Sequence, residues 1–225
     1  MSTYAAKQRI YEQFARIGKA LAAPGRLELI DLLAQGERPV DALAREATMS
    51  IANASQHLRV LHAARLVDTR REGQRVYYRL AAPAVVNLWL ALRSTAESQL
   101  AELDEVARDY LGAPETLEPI ERDELVRRIA SGTVIVIDVR PPEEYEQGHI
   151  AGAVSVPLPR LKAWAREAPK RRPIVAYCRG PYCVYAVQAV TELHKLGLRA
   201  MRSADGVSEW RAAGLPLELG QGRTP

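Results

Sequence analysis

Residues 1–177 contain no cysteine, and the whole chain of 225 residues has two, Cys178 and Cys183. Two thiols five positions apart do not make the disulfide framework of a small secreted domain, whereas a reduced, reactive pair suits a reducing compartment. No apolar run reaches the roughly 18 residues that a bilayer span needs. The N-terminus also lacks the charged, apolar and small-residue order of a signal peptide. The expectation is a cytoplasmic protein with no membrane partner. Internal repeats and low-complexity tracts are absent too. Metal ligands are scarce: His57 and His62 are five apart and face different sides of a helix, and residues 83–110 hold no histidine. No metal site and no cofactor is expected.

The length accommodates two domains of about 100 residues each. A formal net charge of +4 is modest, but its distribution is not. Between His57 and Arg79, six arginines (Arg59, Arg65, Arg70, Arg71, Arg75 and Arg79) face only Asp68 and Glu72, a local surplus of four positive charges. A solvated face would account for scattered arginines, not for this density beside the following motif.

Helical periodicity marks four stretches before residue 70. The first carries Ile10, Phe14, Ile17 and Leu21 and ends near Pro24-Gly25. The second runs from Arg26 to Ala34 and closes at Gly36; the third follows Pro39. The fourth has Ser50 as N-cap, places Ile51, Ala54, Leu58 and Leu61 on one face, and sets Asn53, Ser55, Gln56, His57 and Arg59 on others. A short turn before it makes a helix-turn-helix, whose second helix offers polar side chains to base edges in the major groove of double-stranded DNA. Residues 66–80 then alternate as two strands around Gly73-Gln74, with Arg70, Arg71 and Arg75 near the tip: a wing suited to phosphates or the minor groove. Asn53 and Gln56 are the stronger base readers, because bidentate amides suit adenine; Ser55 and His57 would alternatively satisfy local backbone.

The run 52–61 (ANASQHLRVL), with Leu29-Ile30-Asp31-Leu32-Leu33, Ala64-Arg65-Leu66-Val67 and Gly73-Gln74-Arg75-Val76-Tyr77-Tyr78, resembles the ArsR-type winged-helix repressors over about residues 8–110. The resemblance implies operator contacts from Asn53, Ser55 and Gln56. Metal-sensing members use cysteines in the third helix or Asp/His pairs in the last, and a persulfide-sensing group uses two cysteines in the winged domain; all are missing here. From Pro83 to Tyr110, Val85, Trp89, Leu92, Ala96, Leu100, Leu103 and Ala107 recur at steps of three or four, predicting one helix of almost thirty residues. Such a stripe exceeds what a small winged domain covers. It would form a homodimer seam with the first helix, or else pack against the rest of the chain.

Residues 112–119, with Gly112, Pro114 and Pro119, read as a linker between a domain over 1–111 and another over 120–225. In the latter, Pro173 to Tyr177 reads as a buried strand, then Cys178-Arg179-Gly180-Pro181-Tyr182-Cys183 as a loop, then 184–193 as a helix. A helix N-terminus beside Cys178 favours a thiolate and cradles an anion. Strand, Cys-led loop and helix resemble a rhodanese, and the likeness extends over roughly Glu118 to Leu219. It includes Asp138-Val139-Arg140, Glu143-Glu144-Tyr145, the run 148–153 (GHIAGA), Gly206-Val207-Ser208-Glu209-Trp210 and Gly214-Leu215-Pro216-Leu217. Asp205 stands where the family often has a second glycine, and a local change in that turn is expected.

The fold expected is therefore a mostly α winged helix-turn-helix followed by an α/β rhodanese-like domain with a central parallel sheet. Cys178 would take a sulfane sulfur from a small donor as a persulfide. Arg179 would bind the donor or steady the thiolate, or be an exposed surface arginine. Gly180 permits an unusual turn, Pro181 removes one N–H from the cradle, and Tyr182 and Cys183 complete the loop. Cys183 is either an apolar filler or the resolving thiol, a direct bridge requiring Cα atoms within roughly 7 Å. The rhodanese resemblance implies that Asp138, Arg140, Glu144 and His149 mostly brace the strand ends and the fold, outside the catalytic set. Phosphatases and arsenate reductases with a Cys-x5-Arg loop clamp their oxyanion with an arginine six residues after the cysteine, where this chain has Val184. The two functions in view are a DNA-binding regulator sensing a thiol-reactive signal, and a sulfurtransferase whose N-terminal half only dimerises or localises it.

Overall fold

Ser50 fixes the start of the recognition helix as its sequence suggests: its side chain accepts the Asn53 backbone N–H at 3.2 Å. The computed structural model describes residues 3–112, 117 and 119–220. Two compact units emerge, Met1–Leu92 and Arg93–Pro225.

The first unit contains α1 (Thr3–Leu21), α2 (Pro24–Ala34), β1 (Arg38–Pro39), α3 (Val40–Glu46), α4 (Ile51–Ala63), β2 (Val67–Glu72), β3 (Arg75–Leu80) and the start of α5 (Pro83–Gln99). Pro24 opens α2, where the N–H it lacks would have had no partner in the helix. Leu29, Ile30, Leu43, Leu58, Leu61 and Val67 form a core with no solvent exposure. Between α3 and α4 the chain turns through Thr48 at φ 50°. Strands β2 and β3 pair antiparallel from Val67↔Leu80 to Glu72↔Arg75, and Gly73 supplies the positive φ of the two-residue turn. Strand β1 adds to the free side of β3, an element too short for periodicity to reveal.

The helix expected from Pro83 to Tyr110 is two helices. After α5, the chain breaks at Leu100-Ala101 and resumes as α6 (Glu102–Leu111). Neither proline nor glycine causes the break. Glu102, Asp104 and Glu105 crowd the first turn of α6, where the helix dipole favours acids. Ser98 Oγ meanwhile donates to the Thr95 carbonyl at 3.0 Å, a side-chain bond to the backbone in the last turn of α5. Of the expected linker, residues 113–116 and 118 lie outside the described residues.

The second unit continues with α7 (Arg122–Ala130), β4 (Ile135–Asp138), α8 (Pro142–Gln147), β5 (His149–Ile150) and β6 (Val154–Ser155). A single 3-10 turn (Leu158–Arg160) leads to α9 (Leu161–Glu167), β7 (Ile174–Tyr177), α10 (Val184–Lys195), β8 (Ala200–Arg202), α11 (Val207–Ala212) and β9 (Leu217–Glu218). The central sheet has the order β6-β4-β7-β8, all parallel, with β5 and β9 pairing separately. All four residues of β7 are buried because helices cover both faces. Ile174 and Ala176 join the core of Leu161, Ala165, Val187, Val190 and Leu193. Val175 and Tyr177 point the other way, toward Leu125, Val207 and Trp210. Cys178 thus emerges at the C-terminal edge of a parallel sheet, the edge where open α/β folds place their sites.

Candidate functional site

Cys178 is 2% exposed and is bonded to Cys183, with Cα atoms 6.1 Å apart. Cys183 is the N-cap residue of α10, so the bridge joins the end of β7 to the start of that helix. Its backbone N–H donates to Gly180 O at 3.2 Å, curling the loop tightly enough for the sulfurs to meet without opening the fold.

Arg179 is not an exposed surface arginine. Its guanidinium is turned inward onto the fully buried Glu144, with contacts of 2.6 and 3.1 Å to one carboxylate oxygen and 3.2 Å to the other. Glu144 in turn lies 3.9 Å from Arg140, itself fully buried and bound to Asp138 at 2.6 Å and to Gly148 O at 2.7 Å. Tyr177 donates to Asp138 at 2.6 Å and accepts from Ile150 N–H, and burial pushes its phenol well above the usual range. Asp138, Arg140 and Glu144 are braces, and Glu144 braces the cysteine loop itself through Arg179. His149 stacks on Tyr145 and bonds its carbonyl through Nδ1 at 2.9 Å.

Gly206 supports the loop from below. A Cβ there would lie 2.4 Å from the Arg179 carbonyl atoms and 2.6 Å from Cys178 O, so no other residue fits without moving the loop. Glu209 Oε2 accepts the Gly206 N–H at 2.8 Å. Asp205 engages Arg122 in an ion pair, so the departure from glycine gives this turn a charged anchor. Over the loop, Gly180 and Tyr182 face α5: Tyr182 donates to Glu97 at 2.9 Å and Arg93 meets Glu209 at 2.7 Å. Burial first, then the Glu97 bond, pushes the Tyr182 phenol up to about 12. The residues missed by sequence reasoning are thus Arg93, Glu97, Gly206 and Glu209. Gly206 and Glu209 stood within a recognised motif, whereas Arg93 and Glu97 carry no signal beyond two polar positions on a helix.

In the first unit, Asn53, Gln56 and Arg59 are exposed on α4, and Ser55 is half-buried there. His57 is also half-buried: a Cβ on Gly25 would be 3.0 Å from its Nε2, so its ring lies against α2. On the wing, Arg71, Gln74 and Arg75 are exposed. Arg70 differs, being held by Glu37 at 2.6 Å and Glu72 at 2.8 Å and packed over Tyr77. Among the described residues no cluster of His, Cys, Asp and Glu is suited to a metal, and no helix is long and apolar enough to cross a membrane.

Comparison with known proteins assigns the two halves separately. The arsR family of bacterial regulatory proteins matches residues 23–69, and the rhodanese-like domain matches residues 121–213. A sulfurtransferase of Allochromatium vinosum is 32% identical over 105 residues, 46% of this chain and 96% of that protein. A homodimeric winged helix-turn-helix fragment, residues 1–100 of Mb0332 from Mycobacterium bovis, is 42% identical, with a TM-score of 0.42 covering 45% of this chain and 93% of that one. The HTH-type transcriptional regulator Rv0324 of Mycobacterium tuberculosis is 46% identical over 214 residues, 95% of this chain and 94% of its own length. With likeness running through both halves, the chain belongs to the HTH-type transcriptional regulators that join an arsR-family winged helix-turn-helix to a C-terminal rhodanese-like domain.

Proposed function

We propose that this protein is a homodimeric operator-binding regulator whose Cys178–Cys183 loop responds to a sulfane-sulfur donor. The observation carrying the reading is the 6.1 Å Cα separation of the chain's two cysteines at the loop of a rhodanese-like domain, close enough for a bridge. The chemistry needs no external oxidant beyond the donor. With thiosulfate, the Cys178 thiolate attacks the outer sulfur, the S–S bond breaks, and sulfite leaves with its electron pair. The Cys183 thiol then attacks the Cys178 sulfur and displaces the terminal sulfur, which takes up the thiol proton and leaves as hydrosulfide. Two thiols thus become one disulfide, and the donor's sulfane sulfur is reduced.

DNA contact is assigned to the exposed side chains of α4, Asn53 and Gln56 with Ser55 and Arg59 beside them, and to Arg71, Gln74 and Arg75 on the wing. Dimerisation is assigned to α1, where Ile10, Tyr11 and Phe14 are 55%, 58% and 65% exposed, together with Leu88 and Leu92 of α5. Apolar groups at this density on adjoining turns mark an association surface. Arg179 acts as a brace, which leaves donor recognition to the loop backbone.

The test is operator binding of the full chain before and after a sulfane-sulfur donor, with mass spectrometry of both cysteines. Affinity should shift roughly 5- to 150-fold, and Cys178→Ser should remove the shift while the untreated protein binds as before. A serine variant that responds like the parent defeats the reading. The second reading, a sulfurtransferase, is favoured by the likeness to the Allochromatium protein. Fast thiosulfate:cyanide turnover with DNA binding indifferent to donor would support it instead.

A further inference from the structure

Helix α5 is held at both ends. Near its start, Val85 and Val86 are buried, and Trp89 Nε1 donates to Asp31 at 2.9 Å within the first unit. Its last turns belong to the second unit, where Arg93 and Glu97, one turn apart and 3.4 Å from each other, meet the cysteine loop and its support. Glu97 accepts the Tyr182 hydroxyl at 2.9 Å, next to Cys183. Arg93 contacts Glu209, a residue 5% exposed whose other carboxylate oxygen holds the N–H of Gly206, the glycine against which the Cys178 and Arg179 carbonyls rest. Both limbs of the loop therefore end on one face of one helix.

We propose that the Tyr182–Glu97 and Glu209–Arg93 pairs form a two-point latch by which the bonding state of Cys178 and Cys183 is transmitted to α5. The bridged loop confines its two ends, whereas two thiols, or a persulfide, impose no such limit, so Tyr182 and the Gly206 support lose their mutual register when the bridge opens. Because the Tyr182 phenol stays protonated across the physiological range, the latch remains a hydrogen-bond donor throughout it. A buried Glu209 carboxylate parted from Arg93 would be an uncompensated charge, which makes the two arrangements of the latch discrete rather than graded. Helix α5 is continuous from Pro83 to Gln99, so a change at its last turns reaches a helix anchored in the DNA-binding unit.

This latch deepens the sensing function proposed above, and amide hydrogen exchange tests it separately from DNA binding. In the full chain, reduction of the bridge should change protection of residues 93–99 by about 3- to 10-fold, the worth of one hydrogen bond made or lost. Glu97→Ala, an exposed-edge change to the best helix former, should remove that difference while still forming the Cys178–Cys183 bridge by mass. Tyr182→Phe should do the same from the other side of the bond. Exchange at 93–99 that ignores the bridge in the parent, or a difference that persists undiminished in both variants, overturns the latch. If exchange follows the bridge while operator affinity does not, the latch stands and the sensing function fails.

Discussion

Arg70, Arg71 and Arg75 lie within six positions of the wing, yet they are not equivalent charges. Arg70 is already committed to Glu37 and Glu72, while Arg71 and Arg75 point outward. A phosphate reaching Arg70 would have to displace two carboxylates. Arg71→Ala and Arg75→Ala should therefore each weaken every duplex and flatten the salt dependence by about one unit. Arg70→Ala should change the slope far less, since an arginine already neutralised by Glu37 and Glu72 displaces no counterion from the duplex. Gln56→Ala, by contrast, should cost on the order of 1–3 kcal/mol at the operator and relax base preference, with the salt slope unchanged. Titrations of operator and random duplex at several salt concentrations separate these outcomes, and equal slopes for the three arginine variants would refute the distinction. Sequence pattern brings out the cluster of basic residues, but pairing at Arg70 depends on Glu37, thirty-three positions away, and distance in the chain conceals it. The same holds for Arg179: its adjacency to Cys178 suggests donor binding, and only the fold reveals that Glu144 holds it.

Elements with a strong local signal were legible in advance. Ser50 caps α4, Gly73 turns the hairpin, and the four apolar residues from Ile174 to Tyr177 make a strand buried on both faces. Where the signal was a period alone, it misled. The apolar recurrence from Pro83 to Tyr110 survives the break at Leu100-Ala101 almost unchanged, so the three acids opening α6 were the only sign of a second helix start. The two-residue β1 had no periodicity to detect. Helix α1 illustrates a further point, because its apolar residues form a regular stripe that only partly faces the core: Ile17 is half-buried and Leu21 buried, while Ile10, Tyr11 and Phe14 are open. If that open stretch is the seam between two copies, Phe14→Asp should convert the dimer to monomer without unfolding the chain. Sedimentation velocity with far-UV circular dichroism checks this, and a variant that stays dimeric places the seam elsewhere. Operator affinity should fall with dimerisation, since each recognition helix reads one half-site.

At the scale of the whole molecule, chemistry and DNA recognition are segregated: every thiol lies beyond residue 177, and every proposed DNA contact precedes residue 76. Any effector that reacts with a thiol must therefore act through the second unit, and this gives a sharp expectation for metals. The described residues hold no ligand cluster, and the histidines of α4 occupy different settings, His57 against α2 and His62 exposed. Zinc, cadmium or arsenite should therefore leave operator binding unchanged in the Cys178→Ser, Cys183→Ser double variant. In the parent, arsenite can still cross-link the reduced pair, because Cα atoms 6.1 Å apart bring both sulfurs within reach of one arsenic. The parent should accordingly respond to arsenite only after reduction, and pre-formed bridge should protect it, since a disulfide offers no thiolate ligand. Gel-shift titrations of reduced parent, oxidised parent and double variant distinguish the cases. Release of the double variant by any of the three would reveal a metal site in the first unit, and the division of labour between the two halves would no longer hold.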